Sequence, residues 1–215
     1  MDNRKNITEL VFIMDRSGSM HGMEADTVGG FNSLIEKQKK EEGTAFVTTV
    51  LFNNDRTILH DRVNLKEIRP MAVSDFRVGG STALLDTVGE TIRHIDTIHR
   101  YIRPEDLPQK TIFAITTDGM ENSSHHHTYD SVKAAIESHK EKGWEFIFMA
   151  ANIDAGRTAD MMGIERMTAV NFHNDSEGVR VRDEFLNDTI NLLRKNARPT
   201  AATRARVDAD YKFRK

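Results

Sequence analysis

The apolar positions of this chain fall into short unbroken runs separated by longer stretches with helical spacing. Leu10-Val11-Phe12-Ile13-Met14, Ile112-Phe113-Ala114-Ile115 and Phe146-Ile147-Phe148-Met149 are runs of the first kind. Continuous apolar segments rich in Ile and Phe, bounded by charged or polar residues, suit central parallel strands covered on both faces. Between them the spacing predicts helices over Met23 to Glu42, with Val28, Phe31, Leu34 and Ile35 inward, and over Thr82 to about Tyr101, with Leu84, Leu85, Val88, Ile92, Ile95 and Ile98 inward. Further helices are expected at Tyr129 to Lys142, Ile153 to Met162 and Ser176 to Asn196, the last with Val179, Phe185, Ile190 and Leu193 in the core. Ala45 to Phe52 and Arg56 to Val63, joined by the polar turn Asn53-Asn54-Asp55, read as a hairpin on the sheet edge, and Met167 to Phe172 as the last strand. Asn64 to Val78, with Pro70 inside, is expected to hold no more than a short turn of helix. Alternation of this kind predicts an α/β fold: a Rossmann-like, doubly wound, mostly parallel central sheet with one antiparallel edge strand and helices on both faces.

The pattern stops near Ala197. Arg198 to Arg206 shows no apolar face, and Tyr211-Lys212-Phe213-Arg214-Lys215 is basic with two aromatics, so a domain over residues 1–196 is expected to end in a flexible basic tail over 197–215. Composition narrows the class further. With 38% hydrophobic and 29% charged residues in 215, the chain is long enough for one sizeable core, and a formal charge of -3 predicts no general attraction to nucleic acid. Cysteine is absent, which excludes disulfides and thiolate metal sites. No run approaches the roughly 20 apolar residues of a membrane helix, and Met1 to Asn6 lead into the first strand without the apolar centre of a signal peptide. The cytoplasm is the simplest expected location.

Chemistry concentrates where apolar runs end. The first run breaks into Asp15-Arg16-Ser17-Gly18-Ser19, and the Ile112 run breaks into Thr116-Thr117-Asp118-Gly119. In open parallel sheets ligands bind beyond the carboxyl ends of the strands, where the strand order reverses, and Asp15 and Asp118 both fall there. Oxygen-only donors suit a hard cation such as Mg²⁺, Mn²⁺ or Ca²⁺ and not zinc. Each piece also has an ordinary reading: Asp15 as a helix cap, Ser17 and Ser19 as loop hydrogen-bonders, Thr82 after Gly79-Gly80 as an N-cap, Asp118-Gly119 as a turn.

Taken together, Asp15, Ser17, Ser19, Thr82 and Asp118 resemble the metal-ion-dependent adhesion site of von Willebrand factor A domains, whose pattern is Asp-x-Ser-x-Ser, a distant Thr and a distant Asp. The resemblance covers roughly Ile7 to Asn196 at fold level and is specific at those positions and their loops. It implies a stand-alone intracellular domain in which the two serines and Thr82 bind Mg²⁺, Mn²⁺ or Ca²⁺ through hydroxyl oxygen, with Asp15 and Asp118 direct or through water. It further implies a non-catalytic role: the ion accepts an Asp or Glu from a partner protein, in an adaptor or assembly function of the type that works beside AAA-type ATPases or in stress systems. Nucleic acid and membrane are not expected partners.

An enzyme alternative is a Mg²⁺-dependent phosphohydrolase of Rossmann-like fold. Phosphatases of the haloacid-dehalogenase type carry a second Asp two residues after the first, to protonate the leaving group, and here that position is Ser17. Phosphate-binding Gly loops and a Gly-x-Ser-x-Gly elbow are absent. His125-His126-His127 is expected to be an exposed rim loop, with partner recognition beside the ion or a second metal as alternatives, Met20, Met23 and Met120 an adaptable apolar rim or core filling, Asp26 a helix-dipole charge, and Arg16 a member of a surface salt bridge, with steering of an acidic partner as the alternative.

Overall fold

A computed structural model describes residues 6–214, so the reading of the chain start at Met1 to Lys5, and Lys215 of the basic end, lie outside the described residues. The strands are β1 (Ile7–Asp15), β2 (Thr44–Phe52), β3 (Arg56–Asn64), β4 (Lys110–Thr117), β5 (Trp144–Ala150) and β6 (Ala169–Asn171). They form one sheet in the order β3-β2-β1-β4-β5-β6, parallel throughout except for β3, which runs antiparallel to β2 at the edge. Helices α1 (Glu24–Gln38), α2 (Leu84–Tyr101), α3 (Tyr129–Glu141), α4 (Ala155–Met161), α5 (Ser176–Arg194) and α6 (Ala201–Phe213) surround it. The expected mostly parallel α/β architecture is the observed one.

All of β1 is buried because it pairs on both sides and is covered on both faces. Successive side chains of a strand point to opposite faces. Leu10, Phe12 and Met14 therefore enter one core with Phe31 and Leu34 of α1 and Phe185 and Ile190 of α5, while Val11 and Ile13 enter a second with Val88 and Ile92 of α2 and Val132 and Ile136 of α3. An unbroken apolar run is the consequence of having two cores to fill. The chain leaves β1 toward β2 on one side and takes up β4 on the other, so the strand order reverses between β1 and β4. Asp15 closes β1, and Asp118 follows β4 at the same end of the sheet.

Several expected boundaries move. The first helix ends at Gln38, before the charged Lys39 to Glu42 stretch, and the last strand shrinks to Ala169–Asn171 because Arg166–Thr168 forms a tight turn. Asn64 to Val78 contains two short turns, Leu65–Glu67 and Val73–Asp75, and buries Leu65, Ile68, Met71 and Phe76 beneath the α1 face. The largest correction concerns the expected flexible tail. Residues 201–213 are helix α6, packed on α5 and β6 through Val207, its single buried residue. Polar and aromatic contacts do the rest: Arg206 pairs with Glu184, Arg214 with Asp175, and the Tyr211 ring lies tilted against His173 with centroids 5.0 Å apart. A helix docked by one Val and several ion pairs has no apolar periodicity, which is why hydrophobic patterning missed it.

Candidate metal site

At the strand-order reversal the two carboxylates and the hydroxyls meet in one hydrogen-bonded chain. Asp15 accepts from the Ser17 N–H through Oδ1 (2.7 Å) and from the Thr117 hydroxyl through Oδ2 (2.6 Å). Ser17 Oγ lies 3.1 Å from Ser19 Oγ, and Ser19 Oγ donates to Asp118 Oδ1 at 2.6 Å. Asp118 is held from two further sides, by Asn174 Nδ2 on Oδ2 (3.2 Å) and by Asn152 Nδ2 on its carbonyl (3.0 Å). Asp15, Ser17, Thr82 and Asp118 are buried, and Ser19 is exposed at the mouth.

Thr82 arrives on a separate loop that is braced to the other two. Gly79 donates to the Arg16 carbonyl and Gly18 to the Gly80 carbonyl, both at 3.0 Å, which ties the Gly79-Gly80 turn to the Asp15–Ser19 loop. Gly80 has φ +77°, and a Cβ there would meet Asn54 Oδ1 at 2.1 Å, so both backbone conformation and space demand glycine. Helix α2 begins only at Leu84, with Ala83 at the capping position. The ordinary reading of Thr82 as an N-cap is thereby removed, and its backbone is clamped instead by Asn122, which accepts from Thr82 N (2.8 Å) and donates to Thr82 O (3.1 Å). Gly119 closes the arrangement: a Cβ on it would lie 3.5 Å from Ser19 Oγ and 3.7 Å from Thr82 Oγ1. A side chain at this position would pack against both oxygens.

Burial raises the Asp15 carboxyl above the ordinary carboxylate range, against the hydrogen bonds from Thr117 and Ser17. Asp118 is raised by burial too, and further by the charge of Asp15, against the hydrogen bonds from Ser19 and Asn174. The side chains bonded to these carboxylates are hydroxyls and an amide. Among the described residues no group of three or more His, Cys, Asp or Glu side chains could hold a metal by itself. Any ion at this place would draw on carboxylates and hydroxyls together.

The remaining candidates separate. Asp86 accepts the N–H groups of His125, His126 and His127 at 2.7–2.9 Å, and these bonds hold its carboxyl below the ordinary range against the raising effect of burial. His125 and His126 are exposed and His127 packs against Gly89. Met20 is core, Met23 is half-buried against it, and Met120 stands 72% exposed beside Asp118. Asp26 sits in the first turn of α1 and accepts from Ser176 Oγ. Arg16 bonds Thr57 Oγ1 at 2.9 Å and, among the described residues, joins no salt bridge, contrary to expectation. Sequence reasoning missed Thr117, Asn122, Asn152 and Asn174. Asn152 carried a usable signal, since it follows the third apolar run, Phe146 to Met149, at the same sheet edge.

No protein-family model matches the chain, and no curated protein matches it. Solved structures do. Proximal thread matrix protein 1 (PTMP1) from the mussel byssus superposes with a TM-score of 0.60 at 13% identity, covering 88% of this chain and 47% of that one. The same protein with a zinc-occupied MIDAS motif, the metal-ion-dependent adhesion site, gives 0.60 at 12% identity over 90% and 47%. A von Willebrand factor type A structure from Catenulispora acidiphila gives 0.55 at 14% over 85% and 42%. The chain thus spans under half the length of these structures. Among the described residues no helix is long and apolar enough to cross a membrane. At these identities the likeness speaks to fold, and this chain has a von Willebrand factor A-like fold.

Proposed function

We propose that the chain is a divalent-metal-dependent protein-binding module without catalytic activity, in which Asp15, Ser17, Ser19, Thr82 and Asp118 hold the ion. The observation that carries this reading is the pair of buried carboxylates, both raised by burial, joined through Ser17 and Ser19 with no cationic side chain among the described residues bonded to either. Buried charge needs a partner. A bound divalent ion would supply the missing positive charge, and because hydroxyl donors bring none of their own, it would retain attraction for an incoming carboxylate. The chain's own part is to hold the donors: Thr117 and the Ser17 N–H orient Asp15, Asn174 and Asn152 orient Asp118, and Asn122 fixes the Thr82 backbone. Gly119 leaves the mouth open to a side chain from outside.

The proposed ion is Mg²⁺, with Mn²⁺, Ca²⁺ and zinc as competitors, the proposed ligand is an Asp or Glu of a partner protein, and the proposed setting is an adaptor or assembly role in the cytoplasm. Against the phosphohydrolase alternative stands Ser17, which occupies the place of the second acid and is bonded to Ser19. The test is calorimetric titration of each ion into the wild type and Asp15→Ala, followed by capture from lysate in Mg²⁺ and in EDTA with both proteins. Ion binding and a captured protein, both lost in Asp15→Ala, are expected. Absence of saturable binding by every ion up to about 1 mM, the weak end for protein sites, would overturn the reading.

A further inference from the structure

Arginine is distributed unevenly around the proposed metal site. On the helices most exposed arginines are matched by nearby acids, as in Arg93 with Glu90, Arg100 with Asp96 and Arg180 with Glu177, Arg157 of α4 being the exception among the described residues. Around one flank of the site they are not. Arg16 lies between Asp15 and Ser17, and its guanidinium reaches Thr57 Oγ1 at 2.9 Å, next to Arg56 at the head of β3. The Arg16 carbonyl accepts from Gly79, two residues beyond Arg77. Arg16, one residue from the first proposed ligand, thus touches the segments that carry Arg56 and Arg77. Arg56 and Arg77 are exposed, Arg16 is half-buried with its Nε unpartnered, and none of the three forms an ion pair among the described residues. The acids on the same loops are turned elsewhere, Asp55 to Asn54 Nδ2 at 3.1 Å and Asp75 to the Ala72 N–H at 2.9 Å.

Uncompensated charge beside a site is how a protein steers and selects a partner of opposite sign. Resting on the reading of the site as a receptor for a carboxylate, we infer that the Arg16, Arg56 and Arg77 flank docks the acidic residues that accompany the metal-bound one. The partner then presents a run of Asp and Glu, one of which reaches the ion while its neighbours meet the guanidinium groups. A lone acidic residue in a neutral segment would make only the first contact. Arginine suits the second task, since its planar fork matches a carboxylate with two parallel hydrogen bonds.

The test uses two synthetic peptides, one with a single Glu in a Gly/Ser segment and one with a run of Glu, titrated into the isotope-labelled full chain and followed by amide NMR in Mg²⁺ and in EDTA. The double variant Arg56→Glu, Arg77→Glu is titrated alongside, its fold checked by its own spectrum and its ion affinity by calorimetry. Both positions are exposed, and neither is among the proposed ligands. The Glu run is expected to bind about tenfold more tightly than the single Glu in Mg²⁺, with this advantage shrinking at high salt and vanishing in the double variant. Equal affinity of the two peptides, or an advantage unchanged by the double variant, would overturn the inference and leave the metal reading standing. Loss of Mg²⁺-dependent binding for both peptides would remove the reading and the inference with it. Displacement of the Glu run by an oligothymidylate, equally well in EDTA, would make the flank a general polyanion surface and overturn it as well.

Discussion

Replacing Asp15 by Asn separates the cost of the site from its use. In the metal-free protein Asp15 is a buried carboxylate whose folded-state pKa lies above the ordinary value. An acid with a raised folded pKa binds its proton more readily folded than unfolded, so stability falls as pH rises from the unfolded pKa of about 3.9 through the folded one. At pH 7 the charge is a net cost. The amide removes that cost while keeping the bonds: Oδ1 still accepts from the Ser17 N–H, and Thr117 Oγ1 can receive the new N–H while donating to the Gly119 carbonyl, 3.1 Å away. Metal-free Asp15→Asn is therefore expected to be at least as stable as the wild type at pH 7, the advantage fading as pH falls through the folded pKa and gone below about pH 4. With metal the order reverses. An ion at 100 times its Kd stabilises the wild type by about 2.7 kcal/mol, which for a chain of this size raises Tm by roughly 5–10 °C, whereas the variant should gain almost nothing. Thermal unfolding by circular dichroism, with EDTA and with Mg²⁺ or Mn²⁺, measures both quantities. A metal-free variant more than about 1 kcal/mol less stable than the wild type would show that the carboxylate supports the fold through its hydrogen bonds, and the reasoning from burial would be wrong.

Other perturbations address the supports and the frame. Asn174→Ala removes the donor on Asp118 Oδ2 and should weaken metal affinity about tenfold by calorimetry without changing the fold; unchanged affinity would make that contact incidental. Gly29→Ala and Gly30→Ala form a matched pair in α1: at Gly29 a Cβ meets open space and should stabilise by up to about 1 kcal/mol, whereas at Gly30 it would lie 1.9 Å from Asp183 Oδ2 and should destabilise by roughly 1–3 kcal/mol in urea unfolding. Equal effects at the two positions would mean that α5 yields freely. Burial works to raise Asp96, but hydrogen bonds from Lys142, Arg100 and His139 prevail and hold it far below the ordinary range. A depressed acid stabilises above its unfolded pKa of about 3.9 and loses that contribution as pH falls toward its folded one. Asp96→Asn should thus cost roughly 1.5–3 kcal/mol at pH 7 and flatten the acid limb of the stability curve; a limb as steep as that of the wild type would place the acid sensitivity elsewhere.

What could be read from residues alone followed from how strongly each signal is tied to burial. β4 and β5 were legible because a strand in two cores must be apolar along its centre, as Ile112 to Ile115 and Phe146 to Met149 are. Asp15 and Asp118 were legible because each interrupts such a run at its carboxyl end. Helix α6 was not, since Arg206, Arg214 and Tyr211 hold it through partners far away in sequence. The same blindness covered the braces of the site. Asn122 and Asn174 are ordinary loop residues until the fold brings them against Thr82 and Asp118.

These braces bear on how the site is made. The loop after β4 is fastened to the start of α2 by Glu121, which accepts from the N–H groups of Leu85, Ser123 and Ser124, and by Asp86, which accepts from those of His125 to His127. Thr82 precedes α2 and Asp118 precedes that loop, so the two proposed ligands are carried by segments that protein side chains have already joined. A metal does not have to gather them from separate mobile loops. The ordering entropy, about 1–2 kcal/mol per residue for backbone, is met during folding and not during ion binding. It follows that loosening the clamp should appear as lost affinity more than as lost stability. Glu121→Gln keeps the shape while weakening bonds to three N–H groups and a hydroxyl, and it should reduce ion affinity severalfold with little change in Tm in EDTA. If Tm fell and affinity held, the clamp would belong to the fold alone, and pre-assembly of the ligands would not be what sets the strength of the site.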